Sequence, residues 1–136
     1  MDVLIVESNE LVGSMLADTL NTEAISAMVA SDEEAQQLPP HEAPRLVITG
    51  INRGPNEDMT GLKMVSAMRR KWPQLCALYL SALWPARLRP EMLTDGERLL
   101  TKPVPVAKLT RTVWDLLDLG LCGGGKAIDR TSLPDR

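Results

Sequence analysis

Five short apolar runs alternate with stretches whose apolar residues recur at helical spacing. Val3-Leu4-Ile5-Val6 and Leu46-Val47-Ile48-Thr49 are nearly continuous apolar runs, the pattern of strands buried on both faces of a parallel sheet. Residues 75–80 and 98–101 read the same way, and residues 24–30 form a weaker strand in which Ile25, Ala27 and Val29 alternate. After the first strand, Leu11, Val12, Met15, Leu16, Thr19 and Leu20 share one helical face, with Ser8 or Asn9 as the N-cap. Ser31, followed three residues later by Glu34, opens a short helix over 32–38 as in a capping box, and Pro39-Pro40 closes it. Leu62, Val65, Met68 and Trp72 line a third helix that stops at Pro73. Pro105 opens the last helix, with Val106, Leu109, Val113, Leu116 and Leu117 facing inward.

The crossover between the fourth and fifth strands is the poorest helix. Pro85 suits a first turn, but Pro90 follows five residues later. An interior proline removes a hydrogen bond and costs about 3 kcal/mol, so this helix is expected to be short or broken.

Strand–helix alternation with buried strands implies an α/β fold, a doubly wound parallel sheet with helices on both faces. Right-handed crossovers and five units lead to the order 2-1-3-4-5, with its crevice at the carboxyl ends of the strands. The expected domain spans residues 1–119, and a Gly-rich polar tail spans 120–136.

Composition narrows the function. The net charge is −3, with Arg69-Arg70-Lys71 the one basic cluster, so no footprint for nucleic acid is expected. That cluster reads as the complement to a helix C-terminus. No apolar stretch approaches the roughly 20 residues that span a bilayer, and Asp2 and Glu7 break any signal-peptide pattern. The two cysteines, Cys76 and Cys122, make no disulfide framework; Cys76 reads as a small buried hydrophobe, and a cytoplasmic setting is expected. His41 has no recognisable partner for metal or triad chemistry, and the Gly120–Lys126 spacing lacks the strand and the Ser or Thr of a phosphate loop.

The positions after strands 1, 3, 4 and 5 are Glu7-Ser8, Gly50, Ser81 and Lys102. Four segments there, Val3 to Glu10, Leu46 to Asn52, Leu80-Ser81-Ala82 and Thr101-Lys102-Pro103, resemble the response-regulator receiver family, chemotaxis-receiver-like and flavodoxin-like in fold. The resemblance covers residues 2 to about 119, and its separations of 42, 31 and 21 residues are close to the family's. It implies a phosphorylation pocket in which two acids end the first strand and hold Mg²⁺, an aspartate ends the third, a Ser or Thr ends the fourth, and a Lys precedes a commonly cis proline. Hard cations want carboxylate oxygens, and phosphoryl transfer needs a nucleophilic oxygen with compensating charge.

The chain departs at two of these places. Gly50 stands where the phosphoacceptor would be, and Ser8 stands in the second acid position. Glu7, Ser81 and Lys102 remain, so one carboxylate faces one lysine, and weak or absent Mg²⁺ binding follows. A direct Glu7–Lys102 pair is expected to fill the space. Each residue also has a plainer reading: Ser8 as a helix cap, Gly50 as a tight turn, Ser81 as a partner for local backbone. At the switch position, three before the lysine, the family's aromatic is replaced by Leu99.

The resulting expectation is a stand-alone, degenerate pseudo-receiver in two-component or phosphorelay signalling. It is not an enzyme, uses no cofactor, and acts by protein contact in a bacterial pathway without aspartyl phosphorylation. Its partner is a sensor kinase, a regulator or a second copy of the chain, with no nucleic acid or membrane involved. The expected surface is the fourth helix, fifth strand and last helix, with Trp84, Leu99 and Trp114 forming an exposed apolar patch. Two alternatives stand beside it: phosphorylation of a neighbouring acid, Glu57 or Asp58, and a flavodoxin-like binder of a small ligand in the crevice.

Overall fold

The computed structural model describes residues 1–51 and 59–118. Strands β1 (Val3–Val6), β2 (Ala27–Ala30), β3 (Leu46–Gly50), β4 (Cys76–Ser81) and β5 (Glu97–Thr101) form one parallel sheet in the order β2-β1-β3-β4-β5. Helices α1 (Glu10–Thr22), α2 (Asp32–Gln37), α3 (Thr60–Met68) and α4 (Val106–Asp118) complete it. This is the doubly wound order expected from the alternation of elements.

Two cores sandwich the sheet. On one face Leu4, Val6, Val47, Ala77, Tyr79 and Leu99 pack against Met64, Val65 and Met68 of α3. On the other, Val3, Ile5, Leu46, Ile48, Cys76 and Leu78 pack against Leu20 of α1 and Leu109, Val113, Leu116 and Leu117 of α4; Cys76, expected as a small buried hydrophobe outside any disulfide, is buried but disulfide-bonded. All four residues of β1 are fully buried, as its unbroken apolar run requires.

The caps are local and legible. The Asn9 side chain accepts from Leu11 N and Val12 N, so Asn9 rather than Ser8 caps α1. Ser31 and Glu34 form the reciprocal capping box at α2, and those hydrogen bonds hold the Glu34 carboxyl below its ordinary pKa. Gly13 lets α1 approach β2: a Cβ there would stand 2.9 Å from Val29 Cγ1.

Several expectations change. No α-helix forms between β4 and β5; one 3₁₀ turn, Pro90–Met92, interrupts the crossover. Pro85 and Pro90 leave too few consecutive amides for an α-helical ladder. α3 ends at Met68, and Trp72, still buried, lies in the following turn. The buried stripe of α1 is narrower than its periodicity suggests: Leu11 and Met15 are 70% and 61% exposed, and so is Val106 of α4, at 61%. They lie on the edges of their helices, beyond the reach of the sheet. The basic cluster pins the fold rather than offering a patch. Arg69 donates to Leu75 O and pairs with Glu97, while Lys71 donates to Gln36 O and Leu38 O above the Trp72 ring.

Candidate functional site

The parallel register brings the crevice residues together. Val6 pairs with Thr49, Gly50 with Leu80, and Ser81 with Thr101. Glu7, Gly50, Ser81 and Lys102 therefore end four adjacent strands on the same edge. Lys102 N donates to Ser81 O at 2.7 Å, and the Lys102–Pro103 bond is cis.

A cavity of about 20 Å³ lies beneath this edge, lined by Glu7, Gly50 and Lys102 together with Ile5, Val12, Leu16, Ile48 and Leu80. It has room for about one water molecule. Ser8 is exposed, and Ser81 does not line the cavity. The Ser81 hydroxyl donates to Leu83 O at 2.5 Å, so it serves the local turn.

The Glu7–Lys102 ion pair does not form. The Glu7 carboxylate accepts from the Asn9 backbone N–H at 3.2 Å, across two residues, and Lys102 is exposed. A carboxylate beside an unsatisfied amide at a helix start gains a bond at little entropic cost. An exposed ammonium keeps its hydration and gains little from a surface pair.

These residues do not fit Mg²⁺. Gly50 offers no side-chain oxygen, Ser8 no carboxylate, Glu7 is engaged with backbone, and Lys102 brings a positive charge to the cavity. Among the described residues no cluster of three or more His, Cys, Asp or Glu could hold a metal. Glu57, Asp58, the Gly120–Lys126 spacing, Cys122 and the expected tail lie outside the described residues. His41 sits in an exposed 3₁₀ turn, Pro40–Glu42.

No family model and no curated protein matches the chain. Solved structures do. The chemotaxis protein CheY4 of Vibrio cholerae is 21% identical, with 85% of this chain and 97% of that one covered and a TM-score of 0.64. The response regulator TrrA of Thermotoga maritima is 22% identical, with 85% and 99% covered and a TM-score of 0.68. NtrX of Brucella abortus is 20% identical at a TM-score of 0.70, and there the chain spans only 26% of the matched protein.

The fold is that of a receiver domain.

Leu99, expected from the sequence at a switch position, is buried in this fold. Leu99 is 9% exposed and packs in the core, directly opposite Tyr79 on β4. Tyr79 is fully buried and donates to Glu97 at 2.5 Å. Glu97, itself buried, also accepts from Thr94 N and pairs with Arg69 at 3.4 Å. Sequence reading missed this network; a lone Tyr inside an apolar strand and a Glu opening the next one were its only signals.

The expected patch of Trp84, Leu99 and Trp114 is not formed. Leu99 is interior. Trp84 is half exposed on the crossover, its indole N–H bound to Leu88 O at 2.6 Å. Trp114 opens instead onto a groove against α1, on the other side of the sheet from the core that holds Leu99. Which neighbour Trp114 meets depends on the crossing of α4 over the sheet.

Proposed function

We propose that this chain is a degenerate receiver module of two-component or phosphorelay signalling, acting through protein contact and not through aspartyl phosphorylation. The observation that carries the reading is Gly50 at the carboxyl end of β3, with no nucleophile, beside a Glu7 committed to the Asn9 amide. The structural neighbours are response-regulator receivers, among them TrrA, solved with Mg²⁺ and BeF. The cavity beneath the strand ends offers about 20 Å³, while small-ligand pockets run to several hundred Å³. Among the described residues no helix is long and apolar enough to cross a membrane. The partner is a sensor kinase, a regulator or a second copy of the chain.

The test is incubation with acetyl phosphate and Mg²⁺, read by intact mass, and titration with beryllofluoride, read by amide shifts. Both are expected to leave the protein unchanged. A hydroxylamine-labile phosphoryl adduct on any carboxylate, Asp58 included, overturns the proposal.

A further inference from the structure

Cys76 opens β4, at the amino edge of the sheet, and is fully buried. It packs in the same cluster as Leu116 and Leu117, on the face that α4 covers. The backbone brings the end of α4 to the same place. Arg45, just before β3, donates through its guanidinium to Leu117 O at 3.0 Å, and its own carbonyl accepts from Cys76 N at 3.1 Å. One residue therefore holds both the start of β4 and the last turn of α4. On the β5 side the sulfur lies against Gly96, where a Cβ would stand 3.1 Å from Cys76 Sγ.

Cys76 is disulfide-bonded, and the chain has two cysteines. The second, Cys122, follows the end of α4 at Asp118 by four residues. Four residues reach up to about 14 Å. Adjacent strands such as β3 and β4 lie about 4.8 Å apart, and linked cysteines hold their Cα atoms about 5.5 Å apart. The chain that follows α4 thus starts on the right face, at the right edge, with enough length to bring Cys122 to Cys76.

We infer that Cys76 and Cys122 form an intrachain disulfide that works as a redox strap, tying the segment 119–136 to the amino edge of the sheet when oxidised and releasing it when reduced. This edge is opposite the one that carries Glu7, Gly50, Ser81 and Lys102, so the inference does not rest on the reading of that site. The oxidant is a small disulfide such as oxidised glutathione. The Cys122 thiolate attacks it, and one glutathione leaves and takes up a proton. The Cys76 thiolate then attacks the Cys122 sulfur of the mixed disulfide, closes the S–S bond and expels the second glutathione. A dithiol reverses the sequence. Because Cys76 is fully buried, its attack falls on the Cys122 sulfur, and Cys76 leaves, takes up a proton and stays in the core as a small hydrophobe.

The full chain is equilibrated in glutathione buffers of graded ratio, quenched in acid, unfolded and alkylated with N-ethylmaleimide, then read by intact mass. The oxidised form is expected as a monomer that takes up no alkyl group, and the reduced form as one that takes up two. A peptide map without reductant should join the peptides that contain residues 76 and 122. The bond closes a loop of about 47 residues, so reduction should lower the melting temperature by about 10 °C. Cys122→Ser leaves Cys76 in the core, and it should melt with the reduced wild type and ignore reductant. Oxidation should shift the amide signals of Arg45, Gly96 and Leu117 and leave those of Gly50 and Lys102 in place. Two free thiols in every buffer, a covalent dimer as the oxidised species, or a melting temperature indifferent to reductant would each overturn the inference.

Discussion

Tyr79 on β4 donates its phenol to the carboxylate of Glu97 on β5 at 2.5 Å, with both side chains buried. Arg69 and Thr94 N hold the same carboxylate in place. The polar cluster is therefore satisfied, and the aromatic that faces Leu99 across the register is fixed inside the sheet's core.

The network sets a pH dependence. Burial first, and then the Glu97 carboxylate, push the Tyr79 phenol well above its ordinary value. A tyrosine raised in the folded state contributes stability that is fully present below its unfolded pKa of about 10 and is lost as pH rises beyond it. Tyr79 is the only tyrosine in the chain, so ultraviolet titration of tyrosinate reads this residue alone. Tyrosinate is expected to appear together with unfolding rather than before it. Tyr79→Phe should remove that alkaline loss and, by leaving Glu97 one partner short, cost about 1–3 kcal/mol near neutral pH in urea unfolding.

Gly61 has no room for a side chain. A Cβ there would stand 1.8 Å from the Gly50 carbonyl oxygen, while Gly61 N donates to Ile51 O at 2.8 Å. Backbone blocks the space, and it cannot rotate away. Gly61→Ala is expected to displace α3 and lower stability by about 3 kcal/mol. A melting temperature equal to that of the wild type would contradict this close approach.

Asn9 performs the capping that Ser8 leaves undone. Asn9→Ala should cost about 1 kcal/mol of stability through the lost bonds to Leu11 N and Val12 N. Ser8→Ala should fall within about 0.5 kcal/mol of the wild type, as surface changes do. Paired urea melts separate the two.

Restoring phosphoryl chemistry should take two substitutions. Gly50→Asp supplies a nucleophile but leaves Glu7 as the one acid at the end of β1. Adding Ser8→Asp should return Mg²⁺ binding and measurable labelling by acetyl phosphate. Equal labelling of the single and double variants would show that Ser8 has no part in the deficit.

The sequence alone determined the five strands, their order and the edge on which Glu7, Gly50, Ser81 and Lys102 lie. Val3–Val6 and Leu46–Gly50 are buried whichever neighbour they meet, because a strand covered on both faces must be apolar throughout. The cap at Ser31 is equally local, closed by an amide three residues away, while at α1 the sequence left Ser8 and Asn9 open and the structure chose Asn9. That Gly50 brings no side-chain oxygen to the end of β3 is likewise read from the sequence alone. Tertiary structure decided where the helix edges point and which polar side chains meet. Helical periodicity places Leu11, Met15, Val106 and Trp114 on a helix without saying which of them the sheet covers. The Tyr79–Glu97–Arg69 network joins residues 10 to 28 positions apart, and Glu7 chose the near amide over the distant Lys102. A contact closed within one turn is fixed by chain connectivity, whereas one between elements depends on how they pack, and single-residue patterns do not encode that geometry.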